Sequence, residues 1–134
     1  MKVFAEGWFS LSLLFAFSMV LVLPAIALAD SPPVLQVVTV KVQGDGSAYL
    51  AKLKDGIPML KKAGASDVRV FRATVAGDNS GLIFVSIEYP NLEAFAKGAT
   101  KIADDADWQK LVKKLEGTGR LLVGNSLLED VTPK

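Results

Sequence analysis

The chain has 134 residues, of which 51% are hydrophobic, and its 15 basic and 14 acidic side chains give a formal net charge of +1. This balance favours neither nucleic acid nor an anionic membrane surface as a partner. The absence of cysteine and histidine excludes disulfides, thiol and Ser-His-Asp catalysis, and the usual zinc and haem ligands. We therefore predict no metal and no cofactor.

The N-terminal segment, residues 1–29, has the pattern of a signal peptide. Residues 9–26 are almost wholly apolar, and residues 27–29 (ALA) form a small-x-small cleavage site. We expect cleavage before Asp30 and export to the periplasm or the medium. The apolar run, at about 20 residues, is also long enough for an uncleaved membrane anchor. Residues 30–134 then form one domain of common size.

The first half of this domain is predicted as a strand, a helix and a second strand. Residues 35–43 (LQVVTVKVQ) are rich in β-branched side chains and favour a strand. A helix follows, with Tyr49, Leu53, Ile57 and Leu60 at helical spacing on one face. Residues 67–76 (DVRVFRATVA) predict the second strand, and the turn residues 77–81 predict a hairpin to the third.

The second half is predicted as a strand, a helix and a final strand. Residues 81–89 alternate as a strand until Pro90, and Asn91 is a good N-cap for the helix that follows. Residues 104–107 (DDAD) predict a break with a new N-cap. Residues 120–131 make the fourth strand, in which Gly124 marks a bulge or bend.

The element order predicts an α+β, ferredoxin-like βαββαβ domain, with a four-stranded antiparallel sheet and both helices on one face. The other face is then apolar and uncovered. We expect it to carry Leu35, Val37, Leu82, Phe84, Val68, Val70, Arg72, Thr74, Leu121, Val123 and Leu127, with Phe71, Ala73 and Val75 facing the helices. An apolar patch of this size is unusual for a monomer and predicts a homodimer.

Three segments resemble the dimeric α/β-barrel superfamily, in which two ferredoxin-like subunits pack sheet to sheet. Residues 85–95 (VSIEYPNLEAF) are similar to its strand-to-helix junction, residues 105–111 (DADWQKL) to its second-helix break, and residues 127–131 (LLEDV) to its closing strand. The resemblance implies a ligand or active site between sheet and helices. Members include antibiotic-biosynthesis-type monooxygenases, isomerases and haem enzymes, although a haem role in most members needs a histidine.

The candidate ligand-binding residues are the polar side chains expected on the outward face, together with one aromatic residue. They are Lys41, Arg72, Ser86, Glu88, Asn125 and Trp108. In a closed dimer Arg72 or Lys41 would hold a carboxylate or phenolate, and Glu88 would act as a base. Alternatively, Glu88 forms a structural or interface salt bridge with Lys41 or Arg72, and Trp108 is a core residue of its helix.

Two functions remain open at this stage. The first is a non-catalytic exported dimer that binds a small apolar or aromatic molecule. The second, implied by the resemblance, is a cofactor-independent monooxygenase acting on a phenolic substrate. We favour the first, because without histidine or cysteine a catalytic base would have to be a carboxylate whose pKa is shifted by burial.

Overall fold

The computed structural model describes residues 31–134, so the predicted signal peptide and its cleavage site lie outside the described residues. Within these residues four strands and three helices follow one another, with one 3₁₀ turn at Gly77–Asn79. They are β1 (Val34–Lys41), α1 (Ser47–Lys62), β2 (Asp67–Arg72), β3 (Ile83–Tyr89), α2 (Leu92–Asp104), α3 (Ala106–Gly117) and β4 (Leu121–Glu129). Within residues 31–134, no helix is both long and apolar enough to cross a membrane.

The four strands form one antiparallel sheet with the order β2-β3-β1-β4. β1 and β3 are therefore central, and β2 and β4 are the edges. The hairpin between β2 and β3 was predicted from the turn residues, and it is present. The predicted α+β ferredoxin-like architecture is confirmed.

The junction from β3 to the helices follows the predicted chemistry. The side chain of Asn91 accepts a hydrogen bond from the backbone N–H of Ala94 at 2.8 Å, which caps α2. Asp105 separates α2 from α3, and its carboxylate accepts a hydrogen bond from the N–H of Trp108 at 3.0 Å. The predicted break is thus a cap, because Asp105 satisfies one of the free donors of the new helix.

The core lies between the sheet and the helices. Val40, Ile83 and Tyr89 are its most deeply buried large side chains, each no more than 2% exposed. Tyr49 and Leu53 of α1 and Leu111 and Leu115 of α3 close it from the helix side, as the predicted helical stripes require.

The alternation predicted for β2 is wrong. Val68 pairs with Ile87 and Val70 with Val85, and side chains of directly opposed residues lie on the same face. Val68 and Val70 therefore face the helices, whereas Phe71 is 51% exposed on the other face. Both sets of β2 side chains are apolar, so the cross-strand register decides the orientation, and the alternation alone does not. The strand also ends at Arg72, four residues earlier than predicted.

A bulge in β4 changes which side chains of that strand lie on the outward face. Thr39 of β1 is opposite Gly124, but the next residue, Val40, is opposite Leu122, so Val123 has no partner. The bulge was predicted at Gly124. Its consequence was not predicted: because one extra residue inverts the alternation, Asn125 and Leu127 lie on the helix-side face rather than the outward face.

Candidate functional site

A cavity of about 420 Å³ lies between the helix-side face of the sheet and the helices. Its volume is within the range of small-molecule pockets, about 300–1,000 Å³. Aliphatic and aromatic side chains form most of its wall. They are Val38, Val40, Tyr49, Leu53, Leu60, Val85, Ile87, Tyr89, Ala99, Ile102, Ala103, Trp108, Val112, Leu115 and Leu122.

Close packing of α1 against α3 positions the aromatic wall of this cavity. Gly56 of α1 is buried, and a methyl group there would lie 2.7 Å from Leu111 and 3.2 Å from the ring of Trp108. Because glycine has no side chain, the two helices approach closely and the Trp108 ring is held beside α1. Trp108 also packs against the core while it lines the cavity, so the core and ligand interpretations both apply to it.

The polar groups of the cavity come mainly from β1, β4 and the residue before β4. The amide nitrogen of Gln36 donates a hydrogen bond to the side-chain oxygen of Asn125 at 3.1 Å across the strand pair. Arg120 also lines the cavity, and its buried Nε–H has no hydrogen-bond partner among residues 31–134. No aspartate, glutamate or histidine is among the residues that line the cavity within the described chain.

Two tyrosines of the wall are held in the neutral state. Burial raises the pKa of Tyr89 above its ordinary value of 10.0. Burial also raises the pKa of Tyr49, although the positive charge of Arg120 partly offsets this effect. Neither phenol is a base at neutral pH, because both keep their protons there.

These raised pKa values predict a loss of stability in alkali. Above pH 10 the unfolded chain releases phenol protons that the folded chain retains, so the free energy of unfolding falls as the pH rises. We expect urea midpoints to fall between pH 9 and 11, and to fall less in the variant Y49F/Y89F. Neither hydroxyl is hydrogen-bonded within residues 31–134, and phenylalanine keeps the ring, so the variant removes the titration and leaves the apolar packing in place. An equal fall in both proteins would contradict the prediction.

Two of the six candidate residues, Asn125 and Trp108, line this cavity. Arg72 is not on the outward face, since it pairs with Ile83, which faces the helices. Its guanidinium donates a hydrogen bond to the backbone carbonyl of Asp45 and anchors the turn before α1. The structure therefore gives Arg72 a turn-stabilising contact away from the residues that line the cavity.

The other three candidates, Lys41, Ser86 and Glu88, lie on the outer face of the sheet. Glu88 is opposite Leu35, six residues along β1 from Lys41, so roughly 20 Å separate the two ends. The predicted pairing of Glu88 with Lys41 or Arg72 within one chain is absent from residues 31–134. The ion pairs there are Asp67–Arg69 at 3.2 Å and Glu93–Lys97 at 2.9 Å.

Glu88 instead borders a second cavity, of about 430 Å³, at the end of the sheet near Arg69 and Leu128. Ser86 is only 7% exposed at the middle of the outer face. A ligand-binding role for any of the six candidates stays a prediction. The structure separates the six candidates into three places. Asn125 and Trp108 line the cavity, Lys41, Ser86 and Glu88 lie on the outer face, and Arg72 contacts the turn before α1.

Gln36, Tyr49 and Arg120 are cavity residues that the sequence reasoning did not select. Gln36 carried a signal, since it is a polar residue in phase with Val38 and Val40, both on the helix-side face. Arg120 carried none, because it precedes β4 and no periodicity fixes its direction. No group of three or more acidic, cysteine or histidine side chains in residues 31–134 is arranged to hold a metal ion.

Solved structures resemble this chain along nearly their whole length. SnoaB, a cofactor-independent oxygenase from Streptomyces nogalater, superposes with a TM-score of 0.59 at 10% identity, over 77% of this chain and 97% of its own. A dimeric ferredoxin-like protein from an uncultured marine organism gives 0.61 at 14% identity, over 77% and 99%. This chain has the ferredoxin-like fold.

A further ferredoxin-like neighbour is a NIPSNAP family protein of unknown function from Agrobacterium tumefaciens, with a TM-score of 0.60 at 15% identity, over 77% of this chain and 94% of its own. No protein-family model matches the sequence, and no curated protein matches it. Structural similarity at identities of 10–15% establishes the fold alone. The activity has to be argued from the residues of this chain.

Proposed function

We propose that the protein is an exported homodimer that binds a small apolar or aromatic molecule in the cavity between sheet and helices, without catalysis. The observation that carries this proposal is the cavity itself, which has an apolar wall and a few convergent polar groups. Its described lining includes no carboxylate or imidazole, and its phenols are neutral. Binding is therefore better supported than proton-transfer chemistry.

The homodimer is supported by the side chains that the sheet leaves in water. Those most exposed on the sheet are Phe71, Leu121, Leu122, Val123, Leu127 and Leu128, at 43–61%. β4 is also an edge strand with apolar residues on both faces, an arrangement that isolated proteins avoid. A second copy that packs on the outer face and β4 would cover these residues and narrow the cavity mouth at Leu122.

Native mass spectrometry on protein purified without denaturation from cells that express the full chain tests both parts. We expect a dimer with additional mass from a small molecule. In a cavity-filling variant, A99F, that mass should be lost, because Ala99 lines the cavity. The matched control is A48F, where an exposed alanine of α1 does not line the cavity, and it should keep the adduct.

Two results would contradict the proposal. A monomer at micromolar concentration would remove the homodimer. An adduct that persists equally in A99F and A48F would place the ligand outside the cavity.

A cofactor-independent monooxygenase is the second candidate. It is favoured by the presence of Asn125, Trp108 and Arg120 around one cavity, a set able to orient an electron-rich ring. In such a reaction a phenol and O₂ would give a quinone and water, with one oxygen atom becoming the new carbonyl. Oxygen uptake with a hydroquinone or polycyclic phenol, abolished in A99F and retained in A48F, would establish it; binding without oxygen uptake would exclude it for that substrate.

Export rests on the N-terminal sequence alone. Peptide sequencing of the purified protein should give Asp30 as the first residue, and the protein should be recovered outside the cytoplasm. An intact N-terminus in the membrane fraction would favour the anchor instead.

A further inference from the structure

Arg120 contributes a buried N–H without a partner among residues 31–134 to the wall of the cavity. Its Nε–H is buried and donates no hydrogen bond within residues 31–134. More than nine in ten buried polar groups have a partner in native proteins, so an exception requires a reason. Arg120 as a whole is half-buried, so it is this one inner N–H, and not the whole guanidinium, that lacks a partner.

No acidic side chain of the described lining supplies that partner. The carboxylates that form ion pairs, Asp67 and Glu93, are bound to Arg69 and Lys97. The charge of Arg120 does reach the cavity, since it acts on the phenol of Tyr49, another wall residue. Arg120 lines the cavity, so a ligand bound there would supply the partner that its Nε–H lacks among residues 31–134.

The Asn125 amide can present a donor to the same region. The Asn125 side-chain oxygen already accepts the hydrogen bond from Gln36. Its amide nitrogen forms no hydrogen bond with residues 31–134 and is free to donate. Asn125 and Arg120 thus add N–H donors to a wall that is mostly apolar, which is the pattern of a site for an anion carried on an apolar body.

We infer that the cavity selects a small aromatic or aliphatic carboxylate, whose carboxylate group is bound by Arg120 and the Asn125 amide while its apolar part contacts Trp108, Val85 and Ile87. This inference rests on the proposed binding function and adds the chemical class of the ligand. It assigns Arg120 as the specificity-determining residue, because the apolar walls alone do not distinguish a carboxylic acid from a neutral molecule of the same shape.

The test compares two probes of nearly equal shape, 2-naphthoate and the neutral ketone 2-acetylnaphthalene, by calorimetric titration of the purified protein at low salt. We expect 2-naphthoate to bind about tenfold more tightly or better, because hydrogen bonds to a charged group are the strong ones. In R120M the preference should disappear while the ketone affinity stays within about threefold, since methionine keeps the apolar stem. The matched control is K113M, where an exposed cation of α3 is removed.

The outcomes separate the inference from the proposed function. Equal binding of the two probes by the unmodified protein would overturn the inference and leave ligand binding in place. The same conclusion follows if R120M keeps the preference. Binding of neither probe, with an empty dimer in the mass spectrum, would overturn both. The comparison in the unmodified protein requires no variant, so it decides the matter even if R120M folds poorly.

Discussion

Replacing Tyr89 by alanine is expected to lower the free energy of unfolding by about 3–5 kcal/mol, the range for removing a large aromatic side chain from a core. Tyr89 is 2% exposed and makes an edge-to-face contact with Phe95, with the ring centroids 5.3 Å apart. Gly98 of α2 lies against its ring, since a methyl group at Gly98 would be 3.0 Å from the Tyr89 Cε1 atom. The truncated residue would leave a void between β3 and α2 that rigid backbone cannot fill.

Urea denaturation at fixed protein concentration measures this loss, with Y89F as the matched control. The control removes only the hydroxyl, which has no hydrogen-bond partner within residues 31–134, and it should stay within about 1 kcal/mol of the unmodified protein. A loss below about 1 kcal/mol for Y89A would mean that α2 collapses onto the sheet and that the packing described here is not rigid.

Replacing Val37 by glutamate is expected to dissociate the proposed homodimer. Val37 lies at the middle of the outer face, opposite Ser86 on β3 and Ser126 on β4. None of the three helices of residues 31–134 covers this face, so in a lone domain we expect the charge to reach water and the fold to tolerate it. In a sheet-to-sheet dimer the change buries two carboxylates, at a cost of several kcal/mol. We expect the dissociation constant to rise at least about a hundredfold.

Sedimentation equilibrium measures the dissociation constant, and circular dichroism verifies that the variant is folded. V75E is the control with the same chemical change, because Val75 is 95% exposed in the loop after β2, and it should remain dimeric. A V37E protein that is folded and still dimeric would show that the outer face is not the interface, and β4 alone would then be the contact to examine.

The parts of this fold that were predictable are those determined by local chemistry. Pro90 ends β3 and Asn91 caps α2 because of their own covalent structure, and Asp105 caps α3 in the same way. The central strands were oriented correctly because β-branched residues alternate along them, with Val38 and Val40 in β1 and Ile83, Val85 and Ile87 in β3 on one face. These features depend on residues that are close together in the sequence, so they can be predicted from the sequence.

The parts that were not predictable depend on pairing between distant residues. β2 is apolar at both Val70 and Phe71, so only its register against β3 decides which faces the helices. The candidate site was divided for the same reason, since Asn125 and Arg72 were assigned to faces that the register reverses. The sequence could not select Arg120, because its unpaired Nε–H and its place in the cavity wall are visible only in the structure.

The bulge at Val123 affects how this chain is to be matched with its relatives. A homologue that lacks the extra residue would place position 124 rather than position 125 opposite Val38, and an ungapped alignment would equate the cavity residue Asn125 with an outer-face residue of the other protein. At identities of 10–15% such a shift is invisible in the score. Functional residues in β4 should therefore be transferred between proteins only after the structures have been superposed on their strand pairing. The residue types can be compared once equivalent positions are known.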